Sequence, residues 1–174
     1  MRPVMLPISL ALAALSTPAL ADPITASKSV SVVSDPMGNA NPRSLPGATV
    51  DYTVTLANPL ANLGKTVRNI VFEDQLPANV ILRVSDLGGA GTGPTVFTNG
   101  AIIAGIGDSG LTYTYTSLSN ASDGIDFFDG TSWSYTPVPD ASGYDANVRA
   151  IRIKPMTNFK AGGSFTLRFR VKLR

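Results

Sequence analysis

The stretch that closes the chain, residues 165–174, reads FTLRFRVKLR, so that apolar residues alternate with threonine, arginine and lysine without a break. Successive side chains of a β-strand point to opposite faces, and this order therefore separates an apolar face from a basic one. A helix would spread both sets of side chains around its surface. The stretch predicts a β-strand with one buried face.

The same two-residue period recurs through much of the chain, in short runs bounded by Gly, Pro, Asn and Asp. Predicted strands include residues 26–33, 50–56, 67–72, 80–84, 95–98, 101–106, 111–116, 125–128, 148–153 and 165–174. Helix signals are nearly absent after the N-terminal segment. We expect an all-β, two-sheet immunoglobulin-like antiparallel sandwich over residues 22–174, with residues 86–144 forming an elaborated loop face.

The first 21 residues have the order of a secretory signal peptide. Met1-Arg2 supplies a positive start, residues 4–15 are mostly apolar, and Ala19-Leu20-Ala21 matches a cleavage site. The apolar run is shorter than the ~20 residues that a membrane-spanning helix needs. We therefore expect export to the periplasm, cell surface or exterior, with no transmembrane anchor in the mature chain.

The composition restricts the chemistry, because the chain contains neither cysteine nor histidine. A thiol nucleophile, a thiolate zinc site and a Ser-His-Asp triad are excluded. The adjacent carboxylates of Glu73 and Asp74 point to opposite faces of a strand and cannot form a glycosidase pair. We predict that the protein is not an enzyme and that it needs no cofactor. A metal-assisted or carboxylate-dependent hydrolase is the third hypothesis, after a structural or adhesive protein and a carbohydrate-binding module.

Three segments resemble the DUF11 family of repeats on bacterial and archaeal surface proteins. They are PGATVDYTVTLAN at residues 46–58, VRNIVFEDQLPA at 67–78 and AGGSFTLRFRV at 161–171, with a weaker match at SWSY, residues 132–135. The resemblance implies an immunoglobulin-like sandwich with a structural or adhesive role on exported proteins. Members usually occur as repeats, whereas a single free-standing copy is expected here, which argues against a spacer role.

Closely spaced acids suggest one metal site. Asp123, Asp126 and Asp129 lie beside two glycines, and calcium is bound by several oxygen ligands at once. The alternative is that these residues are solvated turn residues, since the spacing matches no EF-hand and no nonapeptide repeat.

Aromatic residues suggest a carbohydrate site, because the apolar faces of sugar rings stack on aromatic planes. Trp133 and Tyr135 are the main candidates, with Tyr113, Tyr115 and Tyr144 as further members of a platform. The alternative is that the tyrosines fill the core. This alternative is stronger for Tyr113 and Tyr115, which share a strand face with Leu111.

Lys28 is a candidate for an intramolecular isopeptide crosslink to an Asn or Asp on another strand. The closing strand at residues 165–174 contains neither residue type, which leaves Asn158 and Asp74 as candidate partners.

The basic residues of the closing strand form a stripe, made up of Arg168, Arg170, Lys172 and Arg174. No aromatic residue lies on the same face for base stacking, so nucleic acid is not expected as a partner. The favoured interpretation is that these charges protect an outer strand from edge-to-edge pairing.

Together these features predict a noncatalytic exported structural or adhesive protein. Its expected partners are a surface protein or a polysaccharide, with self-association through sheet edges as a further option. The alternative is a carbohydrate-binding module centred on Trp133.

Overall fold

The computed structural model describes residues 21–174, and these residues are almost entirely β-structure. The strands are β1 (Thr25–Ser34), β2 (Thr49–Ala57), β3 (Phe72–Gln75), β4 (Val80–Arg83), β5 (Thr95–Asn99), β6 (Ile125–Phe128), β7 (Tyr144–Asp145), β8 (Ala150–Ile153) and β9 (Ser164–Leu173). A single 3-10 turn spans Leu60–Asn62. Among these residues no helix is long and apolar enough to span a membrane. The predicted signal peptide, apart from Ala21, lies outside the described residues.

The strands form two antiparallel sheets, as predicted. The six-stranded sheet has the order β1-β2-β9-β4-β7, with β5 also pairing with β9. The three-stranded sheet has the order β3-β8-β6. On one side β9 pairs with β2 from Ser164 to Lys172, and on the other side it pairs with β5 near one end and β4 near the other. The all-β prediction is confirmed, and the two sheets are consistent with the predicted sandwich.

The core lies between the inner faces of the two sheets. Phe165, Leu167, Phe169 and Val171 of β9 are all 0% exposed, which confirms the alternation in the closing stretch. They belong to one apolar cluster with side chains of β6 and β8, including Phe127, Ile151 and Ile153. Burial of these large side chains is the main favourable contribution to folding.

The interpretation of β9 as an outer strand protected by its charges is wrong. β9 is the central strand of the six-stranded sheet, because it has hydrogen-bonded neighbours on both sides. The strands at the ends of that sheet are β1 and β7. The basic stripe therefore lies on the outer face of the sheet and not along its edge.

Some predicted strands are extended segments with a single bridge. Residues 111–116 make one bridge, between Thr112 and Met156, and in residues 67–71 one bridge joins Arg68 to Asn158. Neither segment belongs to a sheet, and the strand predicted at 67–72 begins only at Phe72. Alternation of apolar and polar residues indicates which face of a segment is apolar, but it does not indicate whether a partner strand is present.

Two further predicted elements differ from the structure. Residues 101–106 fold back in a tight turn between Ile103 and Ile106, where Ala104 and Gly105 have positive φ values of 52° and 83°. Residues 125–128 and 132–135 flank Asp129-Gly130, an order that predicts an antiparallel hairpin. This prediction is wrong, because Phe127 and Ser134 form a parallel bridge.

The loop between β1 and β2 is organised by one carboxylate. Asp35 accepts hydrogen bonds from the Asn39 side chain and from the backbone N–H groups of Met37, Asn39 and Arg43, at 2.8–3.2 Å. Bonds from the Asn39 side chain and the Arg43 N–H lower the pKa of Asp35 to about 2. Hydrogen bonds to the charged form of a carboxyl favour that form.

The substitution Asp35→Asn should remove a pH-dependent part of the stability. An unfolded Asp titrates near pH ~3.9, so the charged group stabilises the fold above about pH 4 and loses this effect as the pH falls to about 2. Thermal unfolding should give a lower melting temperature for Asp35→Asn near neutral pH. The difference from the wild type should close by about pH 2. A difference that stays constant over this range would contradict the assignment.

Candidate functional site

The most exposed regular element is the edge strand β1. It pairs with β2 alone, and no other described strand lies along its outer side. Nine of its ten residues are exposed, including Val30 at 60% and Val33 at 43%. An unpaired strand edge carries free backbone N–H and C=O groups that can pair with another strand. β1 is therefore a candidate interaction surface.

Lys28 is the charged residue of β1, and its side chain points to the core side of the sheet. Its register opposite the buried Val54 places it on that face. The Nζ atom lies 2.5 Å from an Asp74 carboxylate oxygen on β3 and 4.4 Å from the centre of the Tyr52 ring. The structure thus brings Lys28 to one of its two predicted partners. The other, Asn158, lies at the bridge with Arg68 and is exposed.

The three candidate calcium ligands are engaged separately. Asp123 and Asp129 accept backbone hydrogen bonds, whereas Asp126 forms ion pairs. Their partners are Thr116 and Ile125 for Asp123, Lys154 and Arg152 for Asp126, and Thr131 and Ser132 for Asp129. Within residues 21–174, no group of three or more acidic side chains is placed to hold a metal ion. The calcium site stays a prediction, with no support from this arrangement.

Trp133 and Tyr135, the main candidates for sugar binding, lie beside β6. Trp133 stacks on Phe128, with ring centres 5.1 Å apart, and the Arg152 guanidinium lies 3.9 Å from its ring centre. The Tyr135 hydroxyl donates a hydrogen bond of 2.8 Å to Asp145. The cavity that both residues line has a volume of about 20 Å³. This is room for about one water molecule and not for a sugar ring.

A larger groove lies beside β5. It has a volume of about 560 Å³ and is lined by aromatic residues and threonines, among them Phe97, Tyr113 and Tyr115. The Phe97 and Tyr113 rings stack with centres 5.8 Å apart. Gly93 has a φ of 73°, and a Cβ atom there would come within 2.6 Å of the Tyr115 ring. Glycine is thus required for this ring to lie against the loop.

The sequence predicts Tyr113 and Tyr115 of the groove as members of an aromatic platform, but it does not single out Phe97 or Thr95. The sequence pattern that could have indicated these two residues is weak, because β5 is short and has little alternation of apolar and polar residues. Tyr144, also considered for the platform, is separate from the groove and only 6% exposed. The Lys172 ammonium lies 4.4 Å from its ring centre.

Two hydroxyl groups at the groove are buried without a hydrogen bond of ordinary geometry, although they lie close enough for Thr95 to act on the pKa of Tyr113. They belong to Thr95, which is 2% exposed, and Tyr113. Burial raises the pKa of Tyr113, and the charge of Asp123 raises it further, so the phenol stays protonated. Buried polar groups are nearly always hydrogen-bonded, and an unpaired one costs about 1–3 kcal/mol. Both oxygens are buried behind the groove surface, so they contribute to the stability of the fold and not to the binding surface.

The basic stripe is partly neutralised by Asp51 of β2. The Asp51 carboxylate is bound by Arg170 at 2.6 and 2.9 Å and by Arg168 at 2.7 Å. Burial raises the pKa of Asp51, but the bonds from Arg170 and Arg168 outweigh this effect and hold the pKa below its usual value. The stripe is thus a bonded network on the sheet surface, which weakens the case for an anion-binding site.

Comparisons with known proteins identify no relative of this chain. No protein-family model matches the chain, and no curated protein matches it. The resemblance to the DUF11 repeats gains no support from these comparisons and stays a prediction.

The substitution Thr95→Val tests whether the buried hydroxyl is unpaired. Valine has nearly the same shape but no polar group, so we expect the free energy of unfolding to rise by about 1 kcal/mol. Equilibrium denaturation in urea measures the change, and Thr98→Val, at an exposed position of the same strand, is the control. Destabilisation specific to Thr95→Val would mean that the hydroxyl has a partner.

Proposed function

We propose that this protein is a noncatalytic structural or adhesive module of the cell envelope or exterior, and that it associates with a second copy of itself through β1. The observation that carries the proposal is the exposed outer edge of this ten-residue strand. Strand addition at such an edge gains backbone hydrogen bonds along its whole length. Export rests on the predicted signal peptide, and the surface role agrees with the resemblance to DUF11.

The chemistry of β1 favours a second copy as the occupant. Its sequence, TASKSVSVVS, is uncharged except for Lys28, whose ammonium group is turned inward to Asp74. The outer edge therefore lacks the charges that usually discourage pairing between identical edges. Two β1 strands related by a two-fold axis would join two six-stranded sheets into one continuous sheet.

The noncatalytic part of the proposal rests on the available side chains. The chain has no histidine or cysteine, so carboxylates would have to act as acid, base or nucleophile. Asp51, Asp74 and Asp126 are each ion-paired with arginine or lysine. These three carboxylates are thus engaged in holding strands together.

Sedimentation of the purified protein tests pairing through β1. We expect the wild type to form a reversible dimer or larger assembly. The substitution Val30→Lys should raise the Kd of this assembly by at least about tenfold. Near a two-fold axis in the middle of β1, the two new lysines would face each other and repel. The control is Val138→Lys, because Val138 is also an exposed valine, at 71%, but lies outside the strands.

The association proposal has two outcomes that contradict it. One is a wild-type protein that stays monomeric at high concentration. The other is an assembly that Val30→Lys and Val138→Lys affect equally.

The groove beside β5 supports a second candidate function, carbohydrate binding. Its volume of about 560 Å³ has room for a sugar ring, and its aromatic side chains offer stacking surfaces. In the Trp133 region, by contrast, the cavity is too small.

Retention on polysaccharide columns tests this alternative. We expect Tyr115→Ala to weaken retention by at least about tenfold, since stacking on an aromatic ring would be lost. Trp133→Ala is the matched control and should bind like the wild type. Loss of retention in Trp133→Ala alone would move the site to the predicted Trp133 region. No retention of the wild type on any column would reject this function.

A further inference from the structure

We propose that Lys28 and Asp74 form an intramolecular isopeptide bond that joins the two sheets of the sandwich. The proposal rests on the position of the Lys28 Nζ atom, 2.5 Å from an oxygen of the Asp74 carboxylate. β1 and β3 belong to different sheets, so the contact crosses the sandwich. This modification is independent of self-association and of carbohydrate binding.

The surroundings of the pair hold the two groups together, with the carboxylate more deeply buried than the amine. Asp74 retains 14% of its side-chain exposure and Lys28 retains 37%. The Lys28 nitrogen lies 4.4 Å from the centre of the Tyr52 ring and 5.7 Å from that of Phe169. A nitrogen this close to a carboxyl oxygen lies less than about 3.8 Å from the carboxyl carbon, so a rotation of the carboxyl group is enough to present that carbon to the amine.

The reaction is a condensation that needs no oxidant and no cofactor. One proton passes from the Lys28 ammonium to the Asp74 carboxylate, which gives a neutral amine and a carboxylic acid. The amine nitrogen then forms a bond to Cγ, the C–OH bond breaks, and the nitrogen gives one proton to the leaving hydroxyl, which departs as water. The products are one amide and one water molecule. Fixed positioning can compensate for a slow bimolecular reaction, because effective concentrations in such sites are very high.

Two other lysine–aspartate pairs show why this one is selected. Lys154 lies 2.8 Å from Asp126, but Arg152 also approaches that carboxylate, at 3.7 Å, and competes for it. Lys160 lies 2.7 Å from Asp108, where the lysine side chain is 62% exposed. Of these three pairs, the Lys28–Asp74 pair joins the two sheets. Aromatic rings also lie around its amine.

The bond would have a structural consequence for β1. This strand lies at the end of its sheet and has β2 as its one strand neighbour. A covalent bond to β3 would anchor β1 to the opposite sheet, so that peeling β1 away would require breaking an amide. The bond closes a loop between residues 46 positions apart in the sequence. Closing a loop of this length restricts the unfolded chain.

The intact mass of the denatured full-length protein, after its N-terminus has been determined, tests the proposal. We expect a wild-type mass about 18 Da below the sequence value, because one water is lost. Lys28→Arg and Asp74→Ala should each have the full mass of their sequences. Lys154→Arg is the matched control and should keep the mass deficit, because Lys154 pairs with Asp126 and takes no part in the Lys28–Asp74 bond.

A tryptic map provides the second measurement. In the wild type, cleavage after Lys28 should fail, and one branched peptide should contain both Lys28 and Asp74. Arginine at position 28 can keep the ion pair but cannot form this amide, so Lys28→Arg separates crosslinking from folding. A wild type of full mass, or a deficit that persists in Lys28→Arg, would overturn the proposal.

Discussion

The central position of β9 is the constraint on which the rest of the structure depends. This strand pairs with β2 along its length and with β4 and β5 on its other side, so most of the first sheet is assembled on it. Its inner face is fully buried from Phe165 to Val171, and its outer face holds Asp51 through two arginines. One alternating segment therefore supplies core packing, strand pairing and the surface ion-pair network.

The sequence predicts much of this fold, because alternation is a local property. β1, β2 and β9 were predicted close to their observed bounds, and the core face of β9 was predicted residue by residue. The position of β9 in its sheet was not predictable in the same way. Whether a strand is central or at an edge depends on distant segments, and basic residues can serve either position. The same limit explains why residues 111–116 alternate clearly and yet join no sheet.

The candidate sites were predictable only in part, for the same reason. Lys28 stands out as the charged residue of an otherwise uncharged strand, but packing of the two sheets selects Asp74 over Asn158. Trp133 was singled out for its chemistry, whereas its contacts with Phe128 and Arg152 come from the fold. The groove beside β5 was missed, because its residues come from separate segments of the chain.

The two proposals for β1 use different parts of the same strand and are therefore compatible. Self-association uses backbone groups along the outer edge, whereas the crosslink uses a side chain on the inner face. If only the first held, force on a paired β1 would be resisted by hydrogen bonds to β2, which break one after another when a strand is peeled away. If both held, the force would pass through an amide at Lys28 into β3 and the opposite sheet. A strand that joins copies at its edge is thus where covalent anchoring would contribute most to mechanical strength.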